Sequence, residues 1–316
     1  MELALMITGF ILASYSVVGN DVIQTLGTFL SSNEKRPWWV LWAYAASILV
    51  IVLLYGWFNG QDPSYGRLDK IPEAEIFHWW LVLPPMILLV ITRFGIPVST
   101  TFLILSVFKN ELIPEMVEKS VLGYVVAFLS AVVIYFAVAN LLEKRFIHTE
   151  MTPREARTWM VLQWISTGFL WSQWLIQDLA NIYVYLPRKM DTPYFLLTVL
   201  GIVALLAYIF YSKGGAVQKV VTSKTNTTDL RSATTIDFLY GIILFIFKEM
   251  SNIPMSTTWV FVGLLAGREF MISYRLKDPS LRKVTQVVSL DLFKVITGLM
   301  VSVGLVYLIE FFKERF

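Results

Sequence analysis

Long apolar runs, separated by short polar segments, occupy most of the chain. About 20 residues of helix are needed to cross the roughly 30 Å of hydrocarbon in a bilayer. Four runs reach that length without interruption: Trp38–Phe58, Lys119–Leu142, Tyr194–Ser212 and Val284–Ile309. Four more contain polar interruptions: Leu3–Leu30, Ile76–Phe108, Trp159–Leu186 and Thr234–Ser273. The pattern predicts an all-α protein that passes through a membrane several times.

The composition supports a membrane protein and excludes several other classes. Hydrophobic residues make up 56% of the 316 residues and charged residues 16%, against about a quarter charged in a soluble domain. The absence of cysteine and the presence of two histidines exclude disulfides, thiolate metal sites and a multi-histidine metal centre. The net charge of +3 is too small to indicate nucleic-acid binding. The first apolar run lacks a basic segment before it, so we expect it to belong to the fold and not to a cleaved signal peptide.

A polar motif occurs twice along the chain. PVSTT at Pro97–Thr101 returns as PMSTT at Pro254–Thr258, 157 residues later. The same offset relates a second pair of motifs, in the N-terminal runs of the two halves: Asn20-Asp21-Val22 with Gln177-Asp178-Leu179, and Gln24 with Asn181. Two polar motifs in register predict a duplicated unit, with residues 1–150 as the first transmembrane repeat and 151–316 as the second.

Each half contains an interrupted helix, a plain span, an interrupted hairpin and a further span. If the hairpin enters and leaves on one side of the membrane, each half crosses three times and the second copy is inverted relative to the first. With the N-terminus outside, inner loops hold 14 Lys and Arg residues and outer segments 8, in agreement with the positive-inside rule. We therefore predict two inverted-topology repeats with broken helices and re-entrant half-helix hairpins.

Several charged residues lie at apparent membrane depth, where an unpaired charge costs about 2.5–3.5 kcal/mol on insertion scales. The basic ones are Arg93, Lys248, Arg268 and Lys294, and the acidic ones are Asp21, Asp178, Asp237, Glu249, Glu269 and Asp291. Adjacent Lys248-Glu249 and Arg268-Glu269 could neutralise each other at a helix end, and Asp291 could pair with Lys294. Asp21 and Asp178 have no basic residue nearby in sequence, so we expect them to mark a transport pathway.

The two aspartates suggest sites for a coupling cation. Glycine and asparagine are unfavourable inside helices, so Gly19-Asn20-Asp21 predicts a break in the first helix. A broken helix exposes carbonyl oxygens that can bind Na⁺ together with the Asp21 carboxylate, and Gln177-Asp178 would supply a second site. A proton carried on either carboxylate is the alternative.

The Ser-Thr-Thr triplets suggest an anion site. Proline favours the first turn of a helix, so half-helices beginning at Pro97 and Pro254 would direct free backbone N–H groups towards the membrane centre. Further donors would come from the triplet hydroxyls: Ser99, Thr100, Thr101, Ser256, Thr257 and Thr258. Such uncharged donors suit a tetrahedral oxyanion that must bind and leave. The alternative is close helix packing, which small Ser and Thr residues also mediate.

At these motifs the chain resembles the PiT family of inorganic phosphate transporters, which includes sulfate permeases. The matching segments read VGNDVIQTLGT (Val18–Thr28), FGIPVSTT (Phe94–Thr101), IQDLANIYVY (Ile176–Tyr185) and SNIPMSTT (Ser251–Thr258). The resemblance implies symport of an anion with Na⁺ or H⁺, with the triplets near the anion. The cation sites would include Asn20, Asp21, Gln24, Gln177, Asp178 and Asn181, where Gln24 and Asn181 stand at the family's second asparagine.

The expected function is therefore secondary active transport of phosphate, with no cofactor besides the transported ion. We expect a multi-pass protein of the plasma (inner) membrane, with a homodimer as the candidate assembly. A sulfate permease is the alternative within the class, because both anions are tetrahedral. Phosphate can keep a proton that it donates to a carboxylate, so a carboxylate close to the anion would favour phosphate. A membrane-embedded enzyme and a non-transporting membrane protein are the alternatives from other classes.

Overall fold

The computed structural model describes residues 1–93, 98–138, 151–212, 230–250, 255–275 and 281–315, and these ranges contain no strand. The helices are α1 Glu2–Ser32, α2 Trp38–Gly60, α3 Leu83–Arg93, α4 Thr100–Phe108, α5 Ile113–Val138, α6 Pro153–Asp178, α7 Ala180–Tyr183, α8 Thr192–Tyr211, α9 Leu230–Met250, α10 Thr257–Arg275 and α11 Leu281–Arg315. Two 3-10 turns, Trp79–Val82 and Asn110–Leu112, precede α3 and α5. The predicted all-α class is confirmed.

Six helical segments of the described chain are long and apolar enough to cross a membrane. They are Glu2–Val22, Trp38–Gly60, Asn110–Phe136, Thr192–Tyr211, Leu230–Met250 and Val288–Lys313. In lipid every backbone polar group must be satisfied within the protein, and a helix achieves this along its own length. The chain is an integral membrane protein with these helices as its spans. The inversion of the two halves stays a prediction.

The predicted break in the first helix is wrong. Helix α1 runs without interruption from Glu2 to Ser32, through Gly19, Asn20 and Asp21. Unfavourable intrinsic propensity costs about 1 kcal/mol per residue, less than exposing unpaired backbone groups in a membrane. In the second half, by contrast, α6 ends at Asp178, and the single turn α7 follows after Leu179.

Contacts between loops define one end of the bundle, which we call the outer end after the predicted orientation of the N-terminus. The backbone N–H of Phe77 donates to Glu2 Oε1 at 2.7 Å. The backbone N–H of Arg188 donates to Glu73 Oε1 at 2.6 Å. The start of α1, the loop after α2 and the loop before α8 therefore lie together.

A second set of contacts defines the opposite, inner end. Asn33, just after α1, donates through Nδ2 to Gln163 Oε1 in the first half of α6, at 2.9 Å. Arg268 in α10 donates through Nη2 to Ser232 Oγ at the start of α9, at 3.0 Å. The second hairpin, formed by α9 and α10, therefore has both its ends at the inner end. The first hairpin, formed by α3 and α4, begins and ends beside the outer loops.

Helices α5 and α10 approach very closely because glycines line their contact. A Cβ atom added at Gly263 would overlap the carbonyl oxygen of Tyr124, and one at Gly267 would overlap that of Phe128. Glycines four residues apart lie on one helix face and let two backbones touch inside a membrane. We call this contact the glycine seam. It fixes the second hairpin's return arm, α10, against the last helix of the first half, α5.

Candidate ion and anion site

The carboxylate of Asp21 is buried at the centre of the bundle, 1% exposed, and both its oxygens accept hydrogen bonds. Asn20 Nδ2 donates to Asp21 Oδ1 at 2.7 Å, and Thr100 Oγ1 donates to Oδ2 at 2.8 Å. Asn20 Nδ2 also donates to the carbonyl of Val98 at 3.2 Å. The first predicted motif on α1 is thereby joined to the first Ser-Thr-Thr triplet at the start of α4.

The carboxylate of Asp178 lies close to the same triplet. Thr101 Oγ1 donates to Asp178 Oδ1 at 3.1 Å, and Asn181 Nδ2 donates to the same oxygen at 2.8 Å. Asn181 Nδ2 also lies 3.1 Å from Thr100 Oγ1 and 3.3 Å from Thr101 Oγ1. Neighbouring threonines of one hairpin therefore contact the aspartates of both halves of the chain.

The two hairpins exchange equivalent hydrogen bonds. Thr101 Oγ1 donates to the carbonyl of Met255 at 3.3 Å, and Thr258 Oγ1 donates to the carbonyl of Val98 at 3.4 Å. Thr258 follows Thr101, and Met255 follows Val98, by the 157 residues that separate the sequence motifs. Reciprocal contacts of this kind are what a twofold relation between two units produces. The starts of α4 and α10 thus meet tip to tip.

The two serines of the triplets cap their own helices. Ser99 Oγ accepts a hydrogen bond from the backbone N–H of Phe102 at 3.2 Å, and Ser256 Oγ accepts one from Trp259 at 3.3 Å. A serine in this position satisfies one of the free N–H groups at a helix start. Ser120 on α5 supplies a further cap, because its Oγ accepts from the backbone N–H of Ser256 at 2.9 Å. The hydroxyls of Ser99 and Ser256 keep their own protons for donation, whereas the Ser120 hydroxyl donates to the carbonyl of Met116 at 2.7 Å.

Three buried oxygens around Asp178 have no donor at short hydrogen-bond distance within the part of the chain that the structure describes: Gln177 Oε1, Asp178 Oδ2 and Asn181 Oδ1, although the Thr257 side chain lies close enough to stabilise the Asp178 charge. Leaving such a group unpaired costs about 1–3 kcal/mol, so three together on one helical segment call for a ligand. Carboxylate and amide oxygens are the ligands of hard cations. The chemistry of this oxygen cluster therefore fits Na⁺.

The second triplet is placed by different partners from the first. The hydroxyl of Tyr240 on α9 donates to the carbonyl of Thr257 at 3.0 Å, and the Thr257 side chain lies next to Asp178. Gln177 Nε2 reaches the carbonyl of Leu244 on α9 at 3.4 Å, whereas its counterpart Asn20 reaches the first hairpin. Tyr240 and Ser120 were not predicted from the sequence, because neither stands out in an apolar helix pattern.

Eleven of the twelve predicted site residues have described side chains, and all eleven are buried. Those of Asp21, Asp178, Asn20, Asn181, Thr100 and Thr101 are brought together by direct hydrogen bonds. The side chains of Gln24 and Arg93 lie outside the described part of the structure, as do residues Pro97 and Pro254. The roles of all these residues stay predictions.

Two pairs of adjacent charged residues at membrane depth form ion pairs. Lys248 Nζ lies 3.0 Å from Glu249 Oε1, and Arg268 Nη1 lies 2.5 Å from Glu269 Oε1, so these adjacent residues neutralise each other. Pairing explains both without a role in binding.

A buried arginine enters the site from an unexpected direction. Arg67 lies in the loop between α2 and α3 and is 2% exposed. Burial lowers the pKa of Arg67 to about 10, and the negative charges of Asp178 and Glu249 oppose that lowering. The guanidinium is therefore still positive at neutral pH. In the sequence, Arg67 is one of the eight basic residues counted in the outer segments, because the glycine and prolines around it indicate a loop.

No known protein family matches the chain by its sequence model, and no curated protein matches it. Among solved structures the chain is similar to one described as "The sodium-dependent phosphate transporter". The TM-score is 0.60, the sequence identity is 16%, and the match covers 98% of each chain. At this identity the likeness establishes a shared fold over essentially the whole length.

Proposed function

We propose that this protein is a secondary active transporter that moves inorganic phosphate across the membrane together with Na⁺ or H⁺, by alternating access. The observation that carries the proposal is the meeting of the duplicated motifs: Thr100 and Thr101 of one hairpin bind the aspartates of both halves. A buried polar cluster at the junction of two hairpins and two long helices is where such transporters bind their substrates.

The anion would bind at the facing starts of α4 and α10. The threonine hydroxyls there donate to Asp21 and Asp178, and turning them towards a ligand would supply uncharged donors. The N-terminal ends of two helices add partial positive charge. Phosphate is favoured over sulfate because the carboxylates that contact Thr100 and Thr101 can accept the proton that phosphate keeps.

The coupling cation would bind at the oxygen cluster of Gln177, Asp178 and Asn181. These oxygens can replace the water ligands of a hydrated cation, and the Asp178 carboxylate supplies the negative charge. A cation bound there would sit beside Thr101, whose hydroxyl bonds Asp178. The positive charge would favour an anion at the triplet, which couples the two binding events.

Uptake into liposomes containing the purified protein tests the proposal. Labelled phosphate and labelled sulfate would each be supplied with an inward Na⁺ gradient, with an inward proton gradient, and with neither. Phosphate accumulation above protein-free liposomes in one of the gradients supports the proposal. Accumulation of sulfate alone would assign the protein to the sulfate permeases. Accumulation of neither anion by folded, correctly inserted protein would overturn it.

Arg67 would attract the anion from the outer end. Replacing Arg67 by Met removes a positive charge felt at Asp178, so the apparent KM for phosphate should rise about tenfold with little change in maximal rate. Lys189→Met is the matched control, since Lys189 is an exposed cation at the same end. Equal KM values for the two variants would show that Arg67 does not contribute to phosphate binding.

A further inference from the structure

A second buried carboxyl group lies apart from the central site. Asp237 on α9 is 1% exposed, and each of its oxygens accepts one hydrogen bond. Thr28 Oγ1 on α1 donates to Asp237 Oδ1 at 2.5 Å, and Thr167 Oγ1 on α6 donates to Oδ2 at 2.5 Å. We call these three residues the Asp237 cluster. It connects the first helices of both halves to the entering arm of the second hairpin.

The fold does not require a polar group at this place, as the other half of the molecule demonstrates. The positions 157 residues away from the members of the Asp237 cluster are aromatic: Trp80, Tyr185 and Phe10. Two of them, Trp80 and Tyr185, are buried against the start of α1 near the outer end. Aromatic side chains can thus stand at the corresponding positions of the sequence. A buried aspartate in their place is expensive unless it has a function.

In the described residues, no cationic side chain is bonded to the Asp237 carboxyl group. The charged and titratable groups around the Asp237 cluster are the following. Tyr44 on α2 is the ionisable neighbour that interacts with Asp237, and its hydroxyl donates to the carbonyl of Trp164. Arg231 precedes Asp237 by six residues on α9. On α10, Arg268 is bound to Glu269 and Ser232 and lies over the ring of Tyr135 on α5.

Polar side chains follow one face of α1 from the central site to the inner end. Asp21, Thr25, Thr28 and Ser32 are spaced by four, three and four residues, which places them on a common helix face. Thr25 Oγ1 is buried without a hydrogen-bond partner in the described residues, between Asp21 and Thr28. Ser32 Oγ accepts a hydrogen bond from Gln163 Nε2 at the inner end. This polar face joins the Asp237 cluster to both the inner end and the central site.

We propose that Asp237, held by Thr28 and Thr167, is a proton-binding site that exchanges its proton with the inner end of the molecule. The carboxylate takes up one proton to form the acid. The new O–H then donates to one of the two threonine hydroxyls, which turns its own proton away. Na⁺ suits the site less than a proton does, because both carboxylate oxygens are already occupied by hydroxyl donors. The oxygen cluster at Asp178, in contrast, has unpaired oxygens for a metal ion.

Proton binding here would also control the second hairpin. The ionised carboxylate accepts hydrogen bonds from α1 and α6 at once, so it holds α9 to both helices. The protonated form needs only one acceptor and carries no charge to be neutralised. This role in the transport cycle rests on the proposed function, whereas proton binding by Asp237 does not.

Infrared spectroscopy of the full-length protein in liposomes tests the site directly. A protonated carboxyl group in an apolar setting gives its own C=O stretching band, which shifts in heavy water. The wild-type band should appear as pH falls, and Asp237→Asn should remove one carboxyl's share of it. Asp191→Asn, which removes an exposed carboxyl, should leave the band unchanged. No difference between Asp237→Asn and the wild type would overturn the proposal.

Thr167→Val and its control Thr198→Val test the site in case Asp237→Asn does not fold. Thr167→Val removes one hydroxyl donor and should change the pH midpoint of the band, while Thr198→Val, in the outer packing of α8, should not. In transport assays, the ratio of phosphate uptake rates at two internal pH values should be about tenfold smaller for Asp237→Asn than for the wild type. Stimulation of uptake by Na⁺ should persist in this variant. If Asp237→Asn loses the band but the wild type takes up no phosphate, the proton-binding site is supported and the proposed transport function is rejected. Uptake with an unchanged band and unchanged pH dependence would reject the site alone.

Discussion

Asp21 and Asp178 occupy equivalent places in the two halves, yet their surroundings differ. Both oxygens of Asp21 are bound, one by Asn20 and one by Thr100, inside an unbroken helix. Asp178, at the last residue of its helix, has one oxygen bound by both Thr101 and Asn181, whereas its other oxygen has no donor at short distance and lies near Thr257. The two halves thus place an acid at the same position of the sequence motif but surround it differently. We infer that Asp21 holds the first hairpin in place and Asp178 binds the coupling ion.

Asparagine substitutions at the two acids test this division most strongly. Both Asp178→Asn and Asp21→Asn should reduce gradient-driven phosphate uptake at least about 100-fold, because each removes a charge from the central site. They should differ in ion binding. Na⁺ should raise the thermal unfolding midpoint of the wild type and of Asp21→Asn, and should leave Asp178→Asn unchanged. Stabilisation of Asp178→Asn by Na⁺ would show that the cation binds elsewhere.

The glycine seam predicts that the two hairpins differ in how much a substitution at their equivalent positions lowers stability. The residue equivalent to Gly263 in the first hairpin is Ser106, whose hydroxyl fits beside the carbonyl of Phe102 on its own helix. Gly263→Ser would force a Cβ against the carbonyl of Tyr124, so we expect a loss of about 1–3 kcal/mol in the free energy of unfolding. Gly201→Ala, with open space around it, is the control. Denaturant unfolding in detergent measures both.

The threonines of the two triplets should also be unequal. Thr101 bonds to Asp178 and to Met255, whereas the recorded bond of Thr258 is to Val98. Thr101→Val should therefore lower phosphate uptake about tenfold more than Thr258→Val, which corresponds to about 1.4 kcal/mol. Initial uptake rates at equal protein content give the comparison. Similar losses for the two variants would make the triplets functional equals.

The capping serines should be the most alike of the equivalent pairs. Ser99 and Ser256 each accept one backbone N–H of their own helix at nearly the same distance. Ser99→Ala and Ser256→Ala should each lower the free energy of unfolding by about 1 kcal/mol. Thermal unfolding of the two variants side by side provides the measurement. A much larger loss of uptake than of stability in one variant would mean that its serine also binds the anion.

The helices and the polar motifs could be predicted from the sequence because both are local patterns. Apolar runs fix the spans, and a repeated PxSTT motif marks the hairpin tips. The continuity of α1 through Gly19 is not visible in local propensity, since the cost of exposing backbone groups in a membrane exceeds that of glycine and asparagine in a helix. The contact of Asn20 with Val98, 78 residues away, could not be predicted either. The Asp237 cluster depends on a contact across 209 residues with Thr28. Neither partner is marked by its own neighbours in sequence.

The position of Arg67 was beyond prediction for a different reason. Its loop reads as solvent-exposed from its glycines and prolines, but the loop folds inward over the bundle and buries the guanidinium. Composition indicates where a chain turns, and it does not indicate on which surface the turn then rests.

The glycine seam also bears on the ancestry of the chain. It binds the returning arm of the second hairpin to the last helix of the first half, while α4 packs less extensively on α11 and without a glycine seam. An ancestor encoding one half would have had to make both contacts with another polypeptide, so it would have existed as an obligate pair of subunits. Fusion of two such genes turns a contact between subunits into one within a chain. On the predicted duplication, the two copies would then be free to diverge, and the difference between Asp237 and Trp80 would be one result.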